Sequence, residues 1–393
     1  MIQDFKKNYL SNILILLCFF TNLSQLPFIV ENGLSSKFAM LLWILVIMVL
    51  FLNNKIYVSN IILPQIVCIM IFMIFGITCR FLTGNQYVRS NMANSFFISC
   101  MVFFIGFYFS KELNDDDYYK MYLSYIISAI IVSVFVWLKV RGVEDILNSR
   151  VYAYTSKNSV SQIILTCIVL LMLIENKKNY FISLFKIIMI MFLILLLILL
   201  KSRASMLSIP IIIIMILSSN AVNKKKKFII KIMVLVIVGL FIIDKSFSNT
   251  IINDVILGGR DANNLNDVTS GRSNMWLEFP KLFEENFFIG KGYYYTESFP
   301  LAVLLNYGVI GSIPVFVFTL MPLLWSLLKS FKNKDNKILI LVIISVIYWF
   351  NGLFEELSPI GPGVKCYFLW LIFGLCLGHF TYNKNIKERS NNK

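Results

Sequence analysis

The sequence predicts an all-α integral membrane protein, and three observations lead to that fold class. Hydrophobic residues make up 58% of the 393 residues and charged residues only 15%. The mean hydropathy is +0.76, so there is too little polar surface to cover a soluble protein of this length. Apolar runs of the length that crosses a bilayer, roughly 17 to 25 residues, recur along the chain. Because hydrocarbon satisfies no backbone hydrogen bond, each run is expected to be a helix.

These runs predict about twelve transmembrane helices. A count of about ten or eleven follows if the run 9–30 or the run 301–328 is divided wrongly. Lys6 and Lys7 precede the first run without a small-residue cleavage site, so the first span is expected to stay uncleaved. No internal repeat or soluble domain boundary is evident, and residues 1–393 are predicted to form one membrane domain. The predicted spans are 9–30, 37–52, 57–78, 95–110, 121–138, 159–174, 180–200, 204–219, 228–243, 301–328, 338–354 and 364–381.

The lysines predict the orientation of the chain. If the loops are assigned alternately from a cytoplasmic amino terminus, the lysine-rich loops fall on the cytoplasmic side, as the positive-inside rule requires. Both termini are then cytoplasmic. The lysines and lysine-rich segments concerned are Lys6, Lys7, Lys55, Lys111, Lys120, Lys177, Lys178, 224–227, 329–337 and 384–393.

Arginine has the opposite distribution. Seven of the eight arginines fall in loops that this topology places outside, and only Arg389 lies inside. A guanidinium is always charged and binds phosphate through two parallel hydrogen bonds, so an external arginine set suits recognition of a phosphate at the outer headgroup level. The alternative is that these side chains only anchor the protein to lipid headgroups. The external arginines are Arg80, Arg89, Arg141, Arg150, Arg203, Arg260 and Arg272.

The long polar segment 244–298 is predicted to be a large extracytoplasmic loop between spans nine and ten. Within it, Asn274 to Phe288 carries apolar residues at helical spacing, which predicts a helix lying in the membrane interface. Its amino end is expected to hold unpaired N–H groups beside Arg272, which would form an anion site. The apolar residues of this helix are Trp276, Leu277, Phe279, Leu282, Phe283 and Phe287.

Several short motifs follow one another in a characteristic order. They are Ser202-Arg203-Ala204, Ser270-Gly271-Arg272 with Trp276, Gly290-x-Gly292, Glu297-Ser298 and Gly308-x-x-Gly311. In this order they resemble the O-antigen polymerase (Wzy) and O-antigen ligase superfamily. The motifs cover about 160–330, and the span count and large loop extend the likeness over the whole chain. The resemblance implies a GT-C-like membrane glycosyltransferase that acts on undecaprenyl-diphosphate-linked glycans at the outer face of the bacterial cell (inner) membrane.

The resemblance also implies roles for individual residues. Arg203 and Arg272 are placed where the family's arginines hold the lipid diphosphate, and the G-x-x-G motif places Glu297 where ligases carry a histidine. Glu297 is then the expected base for the acceptor hydroxyl, with the two arginines stabilising the leaving diphosphate. Because the only histidine, His379, lies near the cytoplasmic end of the last span, a polymerase is expected. The other external arginines are expected to line a substrate path or to meet lipid phosphates; they are Arg260, Arg80, Arg89, Arg141 and Arg150. Three tyrosines are suited to stack on sugars: Tyr293, Tyr294 and Tyr295.

The function expected is therefore a repeat-unit polymerase that moves a growing glycan from its lipid carrier onto a lipid-linked acceptor, for O-antigen, capsule or another envelope polysaccharide. An inverting single displacement is expected, since one base suffices. Glu355 and Glu356, in the last external loop, are secondary acid–base candidates. One alternative is a lipid-linked oligosaccharide flippase, although a transporter places charge near the midplane and these spans are nearly free of charge. The other alternative is a ligase, which the missing loop histidine disfavours.

No cofactor and no metal are expected. The glycosyl-diphosphate bond supplies the driving force, and the chain has no Walker or Rossmann glycine motif. The acidic run 115–117 is interpreted as a solvated cytoplasmic loop, and Asp254, Asp261 and Asp267 match no metal-binding loop. The expected partners are the lipid-linked oligosaccharide, membrane lipids, a chain-length regulator and a flippase, with no nucleic acid. No C-x-x-C pair indicates a zinc site or a disulfide framework; the cysteines are Cys18, Cys68, Cys79, Cys100, Cys167, Cys366 and Cys376.

Overall fold

The computed structural model describes residues 2–53, 59–84, 91–111, 113–142, 154–174, 180–249, 252–253, 257, 260–261, 263–269, 271–331, 334–361 and 365–391. The secondary structure of these ranges is helical, which confirms the all-α class. The helices are α1 (Ile2–Leu23), α2 (Pro27–Glu31), α3 (Ser35–Leu52), α4 (Leu63–Thr83), α5 (Asn91–Phe109), α6 (Asp115–Val140), α7 (Lys157–Leu173), α8 (Tyr180–Leu199), α9 (Arg203–Ser218), α10 (Lys224–Ile243), α11 (Lys245–Asn249), α12 (Leu265–Val268), α13 (Arg272–Glu284), α14 (Phe299–Ser330), α15 (Asn336–Gly352) and α16 (Tyr367–Asn391).

Six of these helices, α3, α4, α5, α6, α8 and α14, are long and apolar enough to cross a membrane. Shorter apolar segments of 10–17 residues lie in α1, α7, α9, α15 and α16. The chain is therefore a membrane protein. Each of the predicted spans overlaps one long helix, while the number of helices that cross the bilayer stays a prediction.

The first predicted span, 9–30, differs from the structure. Helix α1 ends at Leu23, and a separate short helix, α2, begins at Pro27. Proline has no N–H to donate to the preceding turn, but it fits the first position of a new helix. The apolar run is therefore divided into two helices, the second only five residues long.

Helices α5 and α16 form a closely packed pair in the bundle. A Cβ atom on Gly106 would collide with Leu371 O, and one on Gly374 would collide with Phe103 O. Small residues at such positions let two helix backbones approach, which is how membrane helices gain packing energy in the absence of a hydrophobic driving force.

Loops that are predicted to share one side of the membrane meet in the structure. At one end of the bundle, Lys337 Nζ lies 2.5 Å from Asp115 Oδ1, joining the starts of α6 and α15. At the other end, Arg272 Nη2 donates to Phe354 O at 3.1 Å. The run 115–117 is not a loop, which corrects that interpretation: it is the first turn of α6, where Asp117 and Asn114 form a capping box.

Candidate active site

Helix α14 is kinked at Gly308, whose φ of 60° and ψ of −167° interrupt the helical backbone. The segment 287–292 fills the interruption. Lys291 N and Gly292 N donate to Leu305 O and Asn306 O at 2.8 and 2.9 Å. In return, the N–H groups of the two residues after the kink donate to Phe287 O and Phe288 O at 2.8 and 3.1 Å. The polar loop is thus fixed to a membrane helix by main-chain hydrogen bonds.

The glycine motifs that carry the family resemblance have a packing role here. A Cβ on Gly290 would lie 2.5 Å from Gly308 N, and a Cβ on Gly308 would lie 2.5 Å from Ile289 N. A Cβ on Gly311 would lie 2.3 Å from Cε1 of the Phe75 ring in α4. These glycines allow segment 287–292 to pack closely against α14. The chain then continues to Glu297, two residues before α14 begins.

Glu297 forms an ion pair with Arg272. Its Oε2 atom lies 2.6 Å from Arg272 Nη2, with the two side chains 40% and 22% exposed. Tyr295 Oη donates to Glu297 Oε1 over 3.5 Å. Burial, together with the charges of Glu297 and Glu356, raises the pKa of Tyr295, so its hydroxyl stays protonated and able to donate. The two residues that the sequence proposed as base and diphosphate ligand are therefore in direct contact.

Arg272 joins three loops. Besides Glu297, it donates from Nη1 to Thr269 O and from Nη2 to Phe354 O, both at 3.1 Å. Its Nε is buried and has no hydrogen-bond partner among the described residues. A guanidinium held at this many points has a fixed orientation, and its planar fork is suited to phosphate oxygens.

Arg203 reaches the same segment from a different helix. It is the first residue of α9, and its Nη1 donates to Val268 O at 2.5 Å. Val268 ends α12, and the next carbonyl along the chain, Thr269 O, accepts from Arg272. Carbonyls at a helix end have no partner within the helix, so they can orient both cations. The two arginines therefore converge on adjacent peptide groups.

The loop after α15 adds a second pair of glutamates. Glu355 forms an ion pair with Lys365, and both side chains are buried. Glu356 is half-buried, and this burial raises its pKa from 4.5 to about 7. In the sequence these residues are only secondary candidates, and their arrangement depends on a contact across the loop that no local pattern indicates.

An open cleft of about 730 Å³ begins one residue beyond Arg272. Asn264 Oδ1 accepts from the N–H groups of Asn266 and Asp267 at 3.0 and 3.2 Å, and Asn266 Oδ1 accepts from Ser273 Oγ at 3.0 Å. Both asparagines line the cleft, and their amide oxygens bond within the loop. Its lining residues are Asn263, Asn264, Asn266, Ser273, Asn274, Trp276 and Leu277.

Residues 187–316 match the protein-family model described as O-antigen ligase. The resemblance to the O-antigen polymerase and ligase superfamily is confirmed. The matched segment extends from α8 into α14 and contains Arg203, Arg272 and Glu297. Comparison with curated proteins found no match. The match therefore indicates similarity to membrane enzymes of the O-antigen ligase or polymerase type.

The resemblance places Glu297 at a position where ligases are expected to carry histidine, and the chain's own histidine, His379, lies elsewhere. The His379 ring packs edge-on against Tyr118 at 6.1 Å, and Lys337 Nζ lies 4.1 Å from the centre of the same Tyr118 ring. These residues belong to the end of the bundle opposite Arg272. The assignment of Glu297 to that motif position stays a prediction.

The remaining predicted arginines that the structure describes have only local contacts or are exposed. Arg260 Nη1 donates to Leu257 O at 3.1 Å within the polar loop. Arg80 is exposed at the end of α4, and the Arg141 guanidinium lies 5.1 Å from the centre of the Trp137 ring. Among the described residues, no hydrogen bond or ion pair joins Arg80 or Arg141 to Arg272. Arg89 and Arg150 lie outside the described residues.

The three tyrosines differ in their surroundings. Tyr295 contacts Glu297, as described above. Tyr294 lies beneath Lys291, whose Nζ is 5.6 Å from the ring centre, and the Tyr294 N–H donates to Asn306 Oδ1. Tyr293 is 56% exposed. A surface for stacking sugars on this segment stays a prediction.

A helix is present at the predicted position as α13, from Arg272 to Glu284 rather than from 274 to 288, while its place in the membrane interface stays a prediction. None of its residues is buried, and Trp276 and Leu277 are 49% and 79% exposed, as suits a helix in the membrane interface. The expected set of unpaired N–H groups needs one correction, because Ser273 N donates to Thr269 Oγ1 at 3.2 Å. Within the described ranges, no group of three His, Cys, Asp or Glu side chains is placed to hold a metal ion.

Proposed function

We propose that this protein is a polysaccharide repeat-unit polymerase, which transfers a glycan from an undecaprenyl-diphosphate carrier to a lipid-linked oligosaccharide acceptor. The observation that carries the proposal is the convergence of Arg203 and Arg272 on the adjacent carbonyls of Val268 and Thr269. Two fixed guanidiniums at neighbouring positions match a ligand with two neighbouring phosphates.

The chemistry asks little more of the protein than positioning and charge. The acceptor hydroxyl attacks the anomeric carbon, the bond from that carbon to the phosphate oxygen breaks, and the electron pair leaves with the lipid diphosphate. Arg203 and Arg272 stabilise the negative charge that develops there. A carboxylate of the same cluster takes the hydroxyl proton, and Glu297 is the sequence candidate for that base.

The cleft beside Arg272 supports a glycan as the group transferred. Sugar rings offer hydroxyls that bond to amide NH₂ groups and C–H faces that pack on aromatic rings, and the cleft combines Asn264 and Asn266 with the half-exposed Trp276. A cleft of mixed polar and apolar lining next to a charged centre is a common form of ligand site.

Within the superfamily, a polymerase is favoured over a ligase because Glu297 occupies the ligase histidine position. A flippase is less favoured because Arg272 lies in the loops at one end of the bundle. Transporters bind their substrates near the bilayer midplane.

The proposal includes the orientation. The loops that hold Arg203, Arg272 and Glu297 face the outside of the bacterial inner membrane, and both termini are cytoplasmic. A topology reporter inserted in 244–249 is expected to be active outside the cell, and one in 219–223 inside. A cytosolic 244–249 would overturn the proposed reaction site. A flippase that delivers lipid-linked units and a chain-length regulator are the proposed partners.

The test of function is the glycan made by cells that carry single variants. Arg272→Ala and Arg203→Ala are expected to lower polymer formation at least about 100-fold with normal protein levels in the membrane. Arg272→Lys is expected to recover only part of the activity, since the fork is lost. Lys281→Ala, an exposed change on α13, is the control and is expected to be silent.

The phenotype of a deletion separates the candidate functions. Single repeat units on the acceptor indicate a polymerase. Lipid-linked units that accumulate without export indicate a flippase, and polymer that is never attached indicates a ligase. Normal-length glycan from both arginine variants would rule out their diphosphate role.

A further inference from the structure

Asn351 lies in the last turn of α15, at the end of the bundle that holds Arg272. The residue is fully buried. Its Nδ2 atom donates to Ile347 O at 2.9 Å and to Ser208 Oγ of α9 at 3.3 Å. Because Ile347 O can only accept, this contact fixes which end of the amide carries the hydrogens. The Asn351 side chain therefore ties α15 to α9.

The contact with α9 leads to Arg203. Ser208 is fully buried, and its hydroxyl donates to Ala204 O at 2.9 Å. Ala204 directly follows Arg203, the first residue of α9. A serine hydroxyl can donate one hydrogen bond and accept others, so Ser208 can hold Ala204 O and the Asn351 amide at the same time. The first turn of α9 is thus connected to α15 through buried side chains.

The main chain of Asn351 leads to Arg272. Asn351 O accepts from Phe354 N at 2.9 Å, which forms the turn after α15. Phe354 O in turn accepts from Arg272 Nη2 at 3.1 Å. The turn is closely packed, because a Cβ on Gly352 would collide with Ser358 O. A shift of this turn would therefore move the carbonyl that orients Arg272.

These contacts complete a closed path between the two arginines. On one side, Arg203 and Arg272 donate to the adjacent carbonyls of Val268 and Thr269. On the other side, α9 and the turn after α15 meet at Asn351. The Asn351 Oδ1 atom is buried without a hydrogen-bond partner among the described residues, a cost that an apolar side chain of similar size would avoid. A buried amide with this cost calls for a role beyond packing.

We propose that Asn351 is a positioning residue, which holds the guanidiniums of Arg203 and Arg272 at the spacing that a diphosphate requires. The proposal rests on the proposed function and deepens it. With the Asn351 amide in place, both cations can bind the linked phosphates of one carrier at the same time. Without the amide, α9 and the turn after α15 can move apart, and one of the two phosphate contacts is weakened. A ligand with a single phosphate does not depend on this spacing.

The experiment compares the affinities of two lipids for the purified full-length protein in detergent. Undecaprenyl diphosphate engages both arginines, and undecaprenyl phosphate is the reference ligand. Asn351→Leu removes the amide and leaves no polar atom in its place. It is expected to raise Kd for the diphosphate about tenfold, the effect of about one charge-assisted hydrogen bond, and to change Kd for the monophosphate less than about twofold. Ser208→Ala, which removes the partner of the amide, is expected to give the same result.

The same measurement in the Arg203→Ala background tests whether Asn351 acts through the arginines. Once one cation is absent there is no spacing to maintain, so Asn351→Leu is expected to cause no further loss of diphosphate affinity. Asn22→Leu is the matched control. Asn22 is equally buried, and its Nδ2 donates to Ser128 Oγ at 2.9 Å between α1 and α6. This variant is expected to lower the melting temperature and to leave the ratio of the two Kd values unchanged.

An unchanged Kd for undecaprenyl diphosphate in either Asn351→Leu or Ser208→Ala would overturn the proposal. Equal weakening of both lipids, or a loss that persists in the Arg203→Ala background, would assign Asn351 a purely structural role and overturn it as well. Wild-type protein that binds undecaprenyl diphosphate no better than undecaprenyl phosphate would instead reject the proposed function itself.

Discussion

Substitution of Gly308 by alanine tests whether the polar loop depends on the kink of α14. With φ 60° and ψ −167°, Gly308 lies in a region almost exclusive to glycine, where another residue costs about 1 to 3 kcal/mol. Its new Cβ would also lie 2.5 Å from Ile289 N, so segment 287–292 must move away. That movement breaks the main-chain bonds that cross the kink, each contributing about 1 kcal/mol. The docked loop is expected to lose roughly 5 to 7 kcal/mol.

The assay is trypsin cleavage after Lys291, which is only 27% exposed while the loop is docked, combined with the length of the glycan made in cells. Gly308→Ala is expected to be cleaved at a rate close to that of an unfolded peptide and to make no polymer. Gly84→Ala is the matched control: Gly84 also has a positive φ, of +72°, but a Cβ there has nothing within 4 Å. It is expected to cost about 1 kcal/mol and to leave both readouts unchanged. Wild-type cleavage and polymer length in Gly308→Ala would refute the reasoning.

Three further predictions concern the site and its support. Trp276→Ala is expected to raise KM for the lipid-linked substrate about tenfold through lost stacking, whereas Trp276→Phe keeps most of the affinity; equal kinetics would remove the cleft from the glycan path. Lys365→Met is expected to destabilise the protein by about 3 to 5 kcal/mol, because Glu355 is left buried without a counter-charge, and the double variant with Glu355→Gln should recover most of that loss in thermal unfolding. Tyr295→Phe is expected to retain activity within about threefold, since the hydrogen bond it loses is long; a larger loss would show that the hydroxyl contacts substrate.

The positions of the long helices follow from hydropathy alone, because a bilayer imposes one length and one polarity on every span. The division of the first run at Pro27 was missed, although proline gave the signal. The arginines at 203 and 272 could be selected by residue type and motif order, and they do converge. Their orientation by the carbonyls of Val268 and Thr269 could not be predicted, since carbonyl groups carry no sequence signal.

The carboxylates show where sequence reasoning stops. Glu297 was selected by motif, but its ion pair with Arg272 depends on two loops meeting. In the sequence, Glu356 is only one of two adjacent glutamates in a loop. What distinguishes it is partial burial, and burial at a loop contact is a property of the folded chain that periodicity does not encode.

The engagement of Arg272 in the folded protein bears on how it discriminates between lipids. Both of its Nη atoms already donate to main-chain oxygens, and Nη2 also meets Glu297. The single phosphate of an ordinary phospholipid must displace these contacts and offers few in return. Under the proposed function, a carrier with two linked phosphates would engage Arg203 at the same time and so gain enough to drive the exchange. The proposed function then predicts selectivity for a scarce diphosphate lipid over bulk phospholipid, because the Arg272 Nη donors already have protein partners.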